Sequence, residues 1–79
     1  MIWIIVCKDK VGSLSRRMAV IEEHRKYLST NPIKTLVSGP LTDFDGETMN
    51  GSFFMVEADE ISEIHQFQQN DPLYHADVW

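Results

Sequence analysis

Two stretches far apart in the chain hold the residues best suited to moving a proton. In Arg17-Met18-Ala19-Val20-Ile21-Glu22-Glu23-His24-Arg25-Lys26-Tyr27-Leu28 a single imidazole stands among apolar neighbours. In Asn70-Asp71-Pro72-Leu73-Tyr74-His75 a carboxylate precedes a proline. Histidine both gives and takes a proton near neutral pH. A carboxylate beside it fixes its tautomer and stabilises the imidazolium, which is how a general acid/base catalyst is assembled. His24 and Asp71 are therefore the candidate catalytic pair, on condition that the fold joins them. Each also has a plainer reading. His24 suits a core histidine bonded to backbone, and Asp before Pro suits a turn whose carboxylate binds nearby N–H groups.

Arg17 lies two helical turns before His24, so the two project from one face of a helix. Polar side chains on a buried stripe need partners, which is the first hint of a pocket. Arg17 is a candidate clamp for an anionic substrate group; its structural alternative is a pairing with Glu57 or Asp59. Ser38, Gly39 and Pro40 are candidate substrate-binding positions, because glycine admits a close approach and proline fixes the bend. An ordinary strand end explains that tripeptide as well. Ser52 carries no sequence signature of an activated nucleophile. His65 and His75 read as surface residues. With His24 they show no metal-ligand spacing, so no metal site is assigned. A phosphate loop and a dinucleotide fingerprint are also missing, and no cofactor is implied.

The elements that must position these residues follow from local pattern. Met1 to Lys8 is β-branched, aromatic and unbroken, as in a buried strand. After Gly12, Ser13 is a candidate cap for a helix from Leu14 to Leu28. Its apolar stripe is Leu14, Met18, Ile21 and Leu28, with Val20 at the border, and Asn31-Pro32 ends it. Ile33 to Leu41 predicts a second strand interrupted at Ser38-Gly39-Pro40. Thr42 to Gly51 predicts a polar connection with turns at Asp45-Gly46 and Asn50-Gly51. Ser52 to Ala58 predicts a third strand with Phe54 and Val56 opposite to Phe53, Met55 and Glu57. Asp59 is the expected cap of a second helix, with Glu60 and Glu63 in its first turn. Ile61, Ile64 and Phe67 form its apolar side, and Asp71-Pro72 stops it. The order β-α-β-β-α, followed by an irregular segment, matches a ferredoxin-like α+β fold except for a short or absent last strand near Val78.

Composition narrows the function classes. The 79 residues suit one small domain spanning 1–79, near the size at which a single core barely suffices. With 43% hydrophobic residues the chain is expected to be globular. A net charge of -5, from 12 acidic and 7 basic residues, argues against a nucleic-acid surface. Cys7 is the one cysteine, so no disulfide forms within the chain, and its apolar neighbours suit a small buried hydrophobe. The run Met1–Cys7 is too short for a membrane span or a signal-peptide core, so no membrane association and a cytoplasmic location are expected. Trp3, Phe53, Phe54 and Trp79 read as core or dimer-face residues.

Taken in order, these segments resemble the YCII-related family of small α+β proteins. The resemblance rests on the opening strand, Arg17…His24…Leu28, Ser38-Gly39-Pro40-Leu41, Asp45-Gly46, Gly51-Ser52 and Asn70-Asp71-Pro72…Ala76…Val78-Trp79, and it runs the length of the chain. It implies a homodimer of the dimeric α+β barrel type. It also implies an enzymatic His-Asp pair at His24 and Asp71, and dehalogenating or isomerising chemistry on small lactones. Three positions depart from the family pattern. Ile21 stands where many members carry a second arginine, which puts anion binding by two arginines in doubt. Asp77 stands where glycine is usual, and the terminal strand is missing. Loss of that strand would leave the first one as a bare apolar edge. A partner chain covering that edge and a shortened chain are both open explanations.

Two functions are carried forward. The first is a small-molecule enzyme in which His24 is the acid/base, Asp71 its orienting partner and Arg17 the anion holder, with Ser38, Gly39 and Pro40 lining the site. It would act by proton transfer or elimination on a small carboxylate or lactone-like metabolite. The second is a non-catalytic module in which the same fold binds a small metabolite or simply dimerises.

Overall fold

The computed structural model describes all residues from Met1 to Trp79. In chain order the elements are β1 (Ile2–Lys8), α1 (Leu14–Thr30), β2 (Lys34–Thr42), β3 (Met49–Glu57), α2 (Ile61–Gln69) and the short α3 (Pro72–His75). The three strands form one antiparallel sheet in the order β1-β3-β2. Since β1 and β2 are each antiparallel to β3, they run parallel to one another with β3 between them, and α1 makes the crossover. This is the split β-α-β arrangement of a ferredoxin-like α+β fold.

Alternation along the strands decides what the helices cover. Facing rows across the sheet are Thr35–Val56–Trp3, Ser38–Phe54–Ile5 and Pro40–Ser52–Cys7. These rows carry the buried Ile5, Cys7, Ser52, Phe54 and Val56, and Ala58, Ile64 and Phe67 complete the core with them. Phe53, Met55 and Glu57 turn to the other face, as the period-two pattern of β3 predicts.

Several boundaries differ from the sequence expectation. Ser38-Gly39-Pro40 does not interrupt β2, which runs through to Thr42. Pro40 is tolerated because β2 is an edge strand, where a missing N–H costs no ladder bond on the open side. Asn50-Gly51 is not a turn: β3 begins at Met49, and the hairpin reverses at Asp45-Gly46. There Gly46 takes a φ of 72°, and the Asp45 carboxylate accepts hydrogen bonds from the Glu47 and Thr48 backbone and from the Thr48 hydroxyl. The cap of α2 is Glu60 rather than Asp59, because Glu63 closes a capping box with it. Ser13 does occupy the cap position of α1, but its hydroxyl makes no capping bond and is buried without a partner.

The segment after α2 is not irregular. Asp71 caps α3, and the chain then turns at Asp77, whose φ of 60° lies in the left-handed region that glycine enters at least cost. Val78 does not begin a strand; its carbonyl accepts from the Lys10 N–H at 2.6 Å, tying this end to the turn after β1.

Candidate functional site

The inner face of α1 is set by polar residues. Arg17, Ile21 and His24 are its buried residues, whereas Leu14 and Met18, expected on that stripe, are 42% and 50% exposed. The helix is turned toward Arg17 because Asp9, at the end of β1, meets that guanidinium beneath it. Nε of Arg17 donates to Asp9 Oδ2 at 2.7 Å and Nη2 to Oδ1 at 3.1 Å. Nη2 donates further to the Gly51 carbonyl at 2.9 Å and to Ser52 Oγ at 2.7 Å. Neither Glu57 nor Asp59 pairs with it: Glu57 meets Lys34 at 3.0 Å, and Asp59 donates its N–H to Glu63. The buried charge is satisfied by this fork geometry. Only Nη1 is left nearly uncommitted, touching Met49 Sδ at 3.9 Å.

Two turns further along α1, the fold brings His24 to Asp71. Nδ1 of His24 lies 2.8 Å from both carboxylate oxygens of Asp71. Asp71 has no exposed surface and also accepts the Leu73 N–H at 2.8 Å, the bond that caps α3. One carboxylate thus performs both functions that the sequence offered, ring partner and turn former. In the neutral ring, a hydrogen on Nδ1 donated to this carboxylate leaves the lone pair on Nε2. Nε2 has no protein partner, and it is not sealed from solvent. The ring packs edge-on against Phe54 and Trp79, with centroids 6.4 and 6.2 Å away.

A cavity of about 200 Å³ opens beside this ring, bordered by Arg17, His24, Ser38, Gly39 and Pro40 together. Ser38 and Pro40 are exposed and form its rim, opposite Arg25 and Leu28 of α1. Ile21, Met49, Ser52 and Phe54 supply the floor and walls. Asp71 stands behind His24 and does not border the space. Hollows of about 290 and 450 Å³ lie elsewhere, but none of His24, Arg17 and Asp71 borders them. Of the three, the smallest cavity is the one that borders His24 and Arg17.

Asp9, Met49, Arg25 and Ser52 were missed at the level of sequence. Strand alternation carried a signal for Ser52, two residues before the buried Phe54 on the same face. The signal for Asp9 was the unmet need of Arg17 for a partner. Cys7, in the same sheet row as Ser52, is buried as expected. Burial, reinforced by Asp71 and Asp9, pushes its thiol up to about 11, so no thiolate forms near neutral pH. His65 and His75 are exposed and apart from the site. No helix is long and apolar enough to cross a membrane.

Comparison with known proteins agrees with this architecture. The chain is similar to a 5-chloro-2-hydroxyhydroquinone dehydrochlorinase from Burkholderia phenoliruptrix AC1100, solved in complex with 2,5-dihydroxybenzoquinone. The two share 36% identity and a TM-score of 0.87, over 99% of this chain and 84% of that one. No curated protein sequence matches. A family model described as the YCII-related domain matches residues 1–79, and the chain belongs to that family.

Proposed function

We propose that this chain is a small-molecule enzyme in which His24 moves a proton on a small oxygenated compound, by elimination or isomerisation. One observation carries the reading: a buried imidazole is held at Nδ1 by a carboxylate, while its Nε2 is unpartnered beside a cavity of about 200 Å³. A space of that size suits one substituted ring. The dehydrochlorinase at 36% identity supports both the reaction class and a hydroxylated ring or quinone as the substrate type, alongside the small carboxylate or lactone-like metabolites expected from the family resemblance.

In the proposed step Nε2 takes a proton from a substrate hydroxyl, or from a carbon next to a carbonyl. On a chlorinated phenol ring the proton is first returned to the chlorine-bearing carbon, giving a keto tautomer. A second deprotonation then forms the new double bond as chloride departs with its own pair, and the last proton passes from the imidazolium to solvent. The substrate loses HX overall. Where no group leaves, the proton returns at another position and the product is an isomer. Asp71 stabilises the imidazolium between the two transfers. Arg17, through Nη1, holds or polarises a substrate oxygen, and Ser38, Gly39 and Pro40 shape the entrance. The working form is proposed to be a homodimer.

Chloride release from 5-chloro-2-hydroxyhydroquinone, measured under anaerobic conditions, tests the reading. His24→Gln is expected to lower the rate by roughly 10²–10⁴, the usual contribution of a general acid/base. If the wild type binds 2,5-dihydroxybenzoquinone but neither releases chloride nor exchanges substrate protons with deuterated water, the non-catalytic binding module is the correct reading.

A further inference from the structure

Ser52 sits on the cavity wall with a hydroxyl that is only half used. Its Oγ is 2% exposed by residue and accepts a 2.7 Å hydrogen bond from Arg17 Nη2. A serine hydroxyl offers one donor and two acceptor sites. The acceptor side is occupied by a guanidinium, whereas the O–H donates to nothing in the protein. A buried hydroxyl whose donor side is unused gains a hydrogen bond from any ligand oxygen that reaches it. We infer that the Ser52 hydroxyl is a substrate-binding donor that grips a carbonyl or phenolate oxygen of the ligand. This rests on the ring-substrate reading above and adds the group that recognises the oxygen.

Three features make the hydroxyl suited to that task. Its bond to Arg17 is charge-assisted, which pulls electron density from Oγ and strengthens O–H as a donor. Arg17 is itself immobilised by Asp9 and by the Gly51 carbonyl, so the donor is oriented before any ligand arrives. Ser52 also projects from the central strand, β3, in the row Pro40–Ser52–Cys7, where the backbone is paired on both sides. A fixed donor for the oxygen and an unpartnered Nε2 for the proton are the two groups that an enolising or eliminating ring requires. Charge developing on the oxygen as His24 takes the proton is then met by the Ser52 hydroxyl, backed by the guanidinium.

The test uses 2,5-dihydroxybenzoquinone as the probe, with wild type, Ser52→Ala and Ser52→Thr. Affinity is read by visible absorption, and the carbonyl stretch of the bound probe by resonance Raman. In wild type the stretch is expected to move to lower frequency on binding, because a donor meets the oxygen. Ser52→Ala is expected to lose about tenfold in affinity, the effect of one good hydrogen bond, together with that shift. Ser52→Thr, which keeps the hydroxyl, retains the shift. If Ser52→Ala binds with the same affinity and the same carbonyl frequency as wild type, the inference is overturned and the proposed function stands. Equal losses of affinity in both variants with an unchanged frequency mark a packing role and overturn it too. Failure of the wild type to take up the probe removes the ring-substrate reading, and the inference with it.

Discussion

His24 is poised because Asp71 has no freedom to be anything but its acceptor. That carboxylate is held from the other side by the Leu73 N–H, and both bonds are 2.8 Å. In ¹⁵N spectra the neutral His24 ring is accordingly expected to carry its proton on Nδ1. Asp71→Asn offers an amide N–H as well as a carbonyl, so this preference should collapse and turnover should fall by up to about 10⁴, the scale set by a wrong tautomer. Asparagine caps a helix as well as aspartate does, so the melting temperature should change little. A variant that keeps the Nδ1–H tautomer and full activity would sever the pair from the chemistry. The types of His24, Asp71 and Arg17 made them legible in the sequence. The partner of Arg17 was not, because Asp9 follows an apolar strand and looks like any surface carboxylate there. Cys7 was legible for the opposite reason, as an apolar residue among apolar ones. Its thiol rises from 9.0 to about 11 on folding, so the unfolded chain loses that proton first. Stability from Cys7 is therefore full below about pH 9 and declines toward pH 11. Urea midpoints across that range should drop more steeply for wild type than for Cys7→Ala; parallel curves would refute the burial effect.

At the scale of elements the site depends on how tightly β1 and β2 close around β3. Gly51 pairs with Lys8 on one side and Leu41 on the other. A Cβ there would lie 2.6 Å from the Cys7 carbonyl and 3.0 Å from Leu41 Cδ1. The first of these atoms is backbone and cannot swing aside, so Gly51→Ala must move a strand. The cost is expected to be about 1–3 kcal/mol, as for overpacking elsewhere, measured by urea denaturation. The Gly51 carbonyl and Ser52 Oγ both receive Arg17, so affinity for a ring ligand should fall with it. A stability equal to wild type would show that β1 can yield freely. Sequence periodicity recovered the order of the first five elements but misread what Gly and Pro were doing. Asn50-Gly51 and Ser38-Gly39-Pro40 both carry turn chemistry, and both lie inside strands. Close approach explains the first and an edge position the second. Neither reason is visible until the neighbouring strand is known.

For the whole molecule the asymmetry of the sheet matters most. One face carries the helices and the cavity. The other presents the rows Val37–Met55–Ile4 and Gly39–Phe53–Val6. Ile4 and Val6 are each 55% exposed and Val37 is 51% exposed, on a sheet whose opposite side buries Ile5, Cys7, Phe54 and Val56. An apolar surface of this continuity is rare on a monomer and is stabilised by burial against another surface. A second copy presents the same rows and is self-complementary by two-fold symmetry, which is the basis of the proposed homodimer. Lys34 and Glu57, paired at 3.0 Å at one end of the face, would sit at its rim. Ile4→Lys places a charge in the middle of the patch without touching Phe54, His24 or the cavity, all of which lie on the other side. Sedimentation equilibrium at micromolar concentration should therefore give the mass of two 9.1 kDa chains for wild type and of one for Ile4→Lys. The variant should keep its fold, because Ile4 is half exposed and lysine is tolerated on an edge strand. If wild type sediments as one chain, the sheet face is not a contact between copies. If Ile4→Lys remains a dimer, the contact lies on another surface.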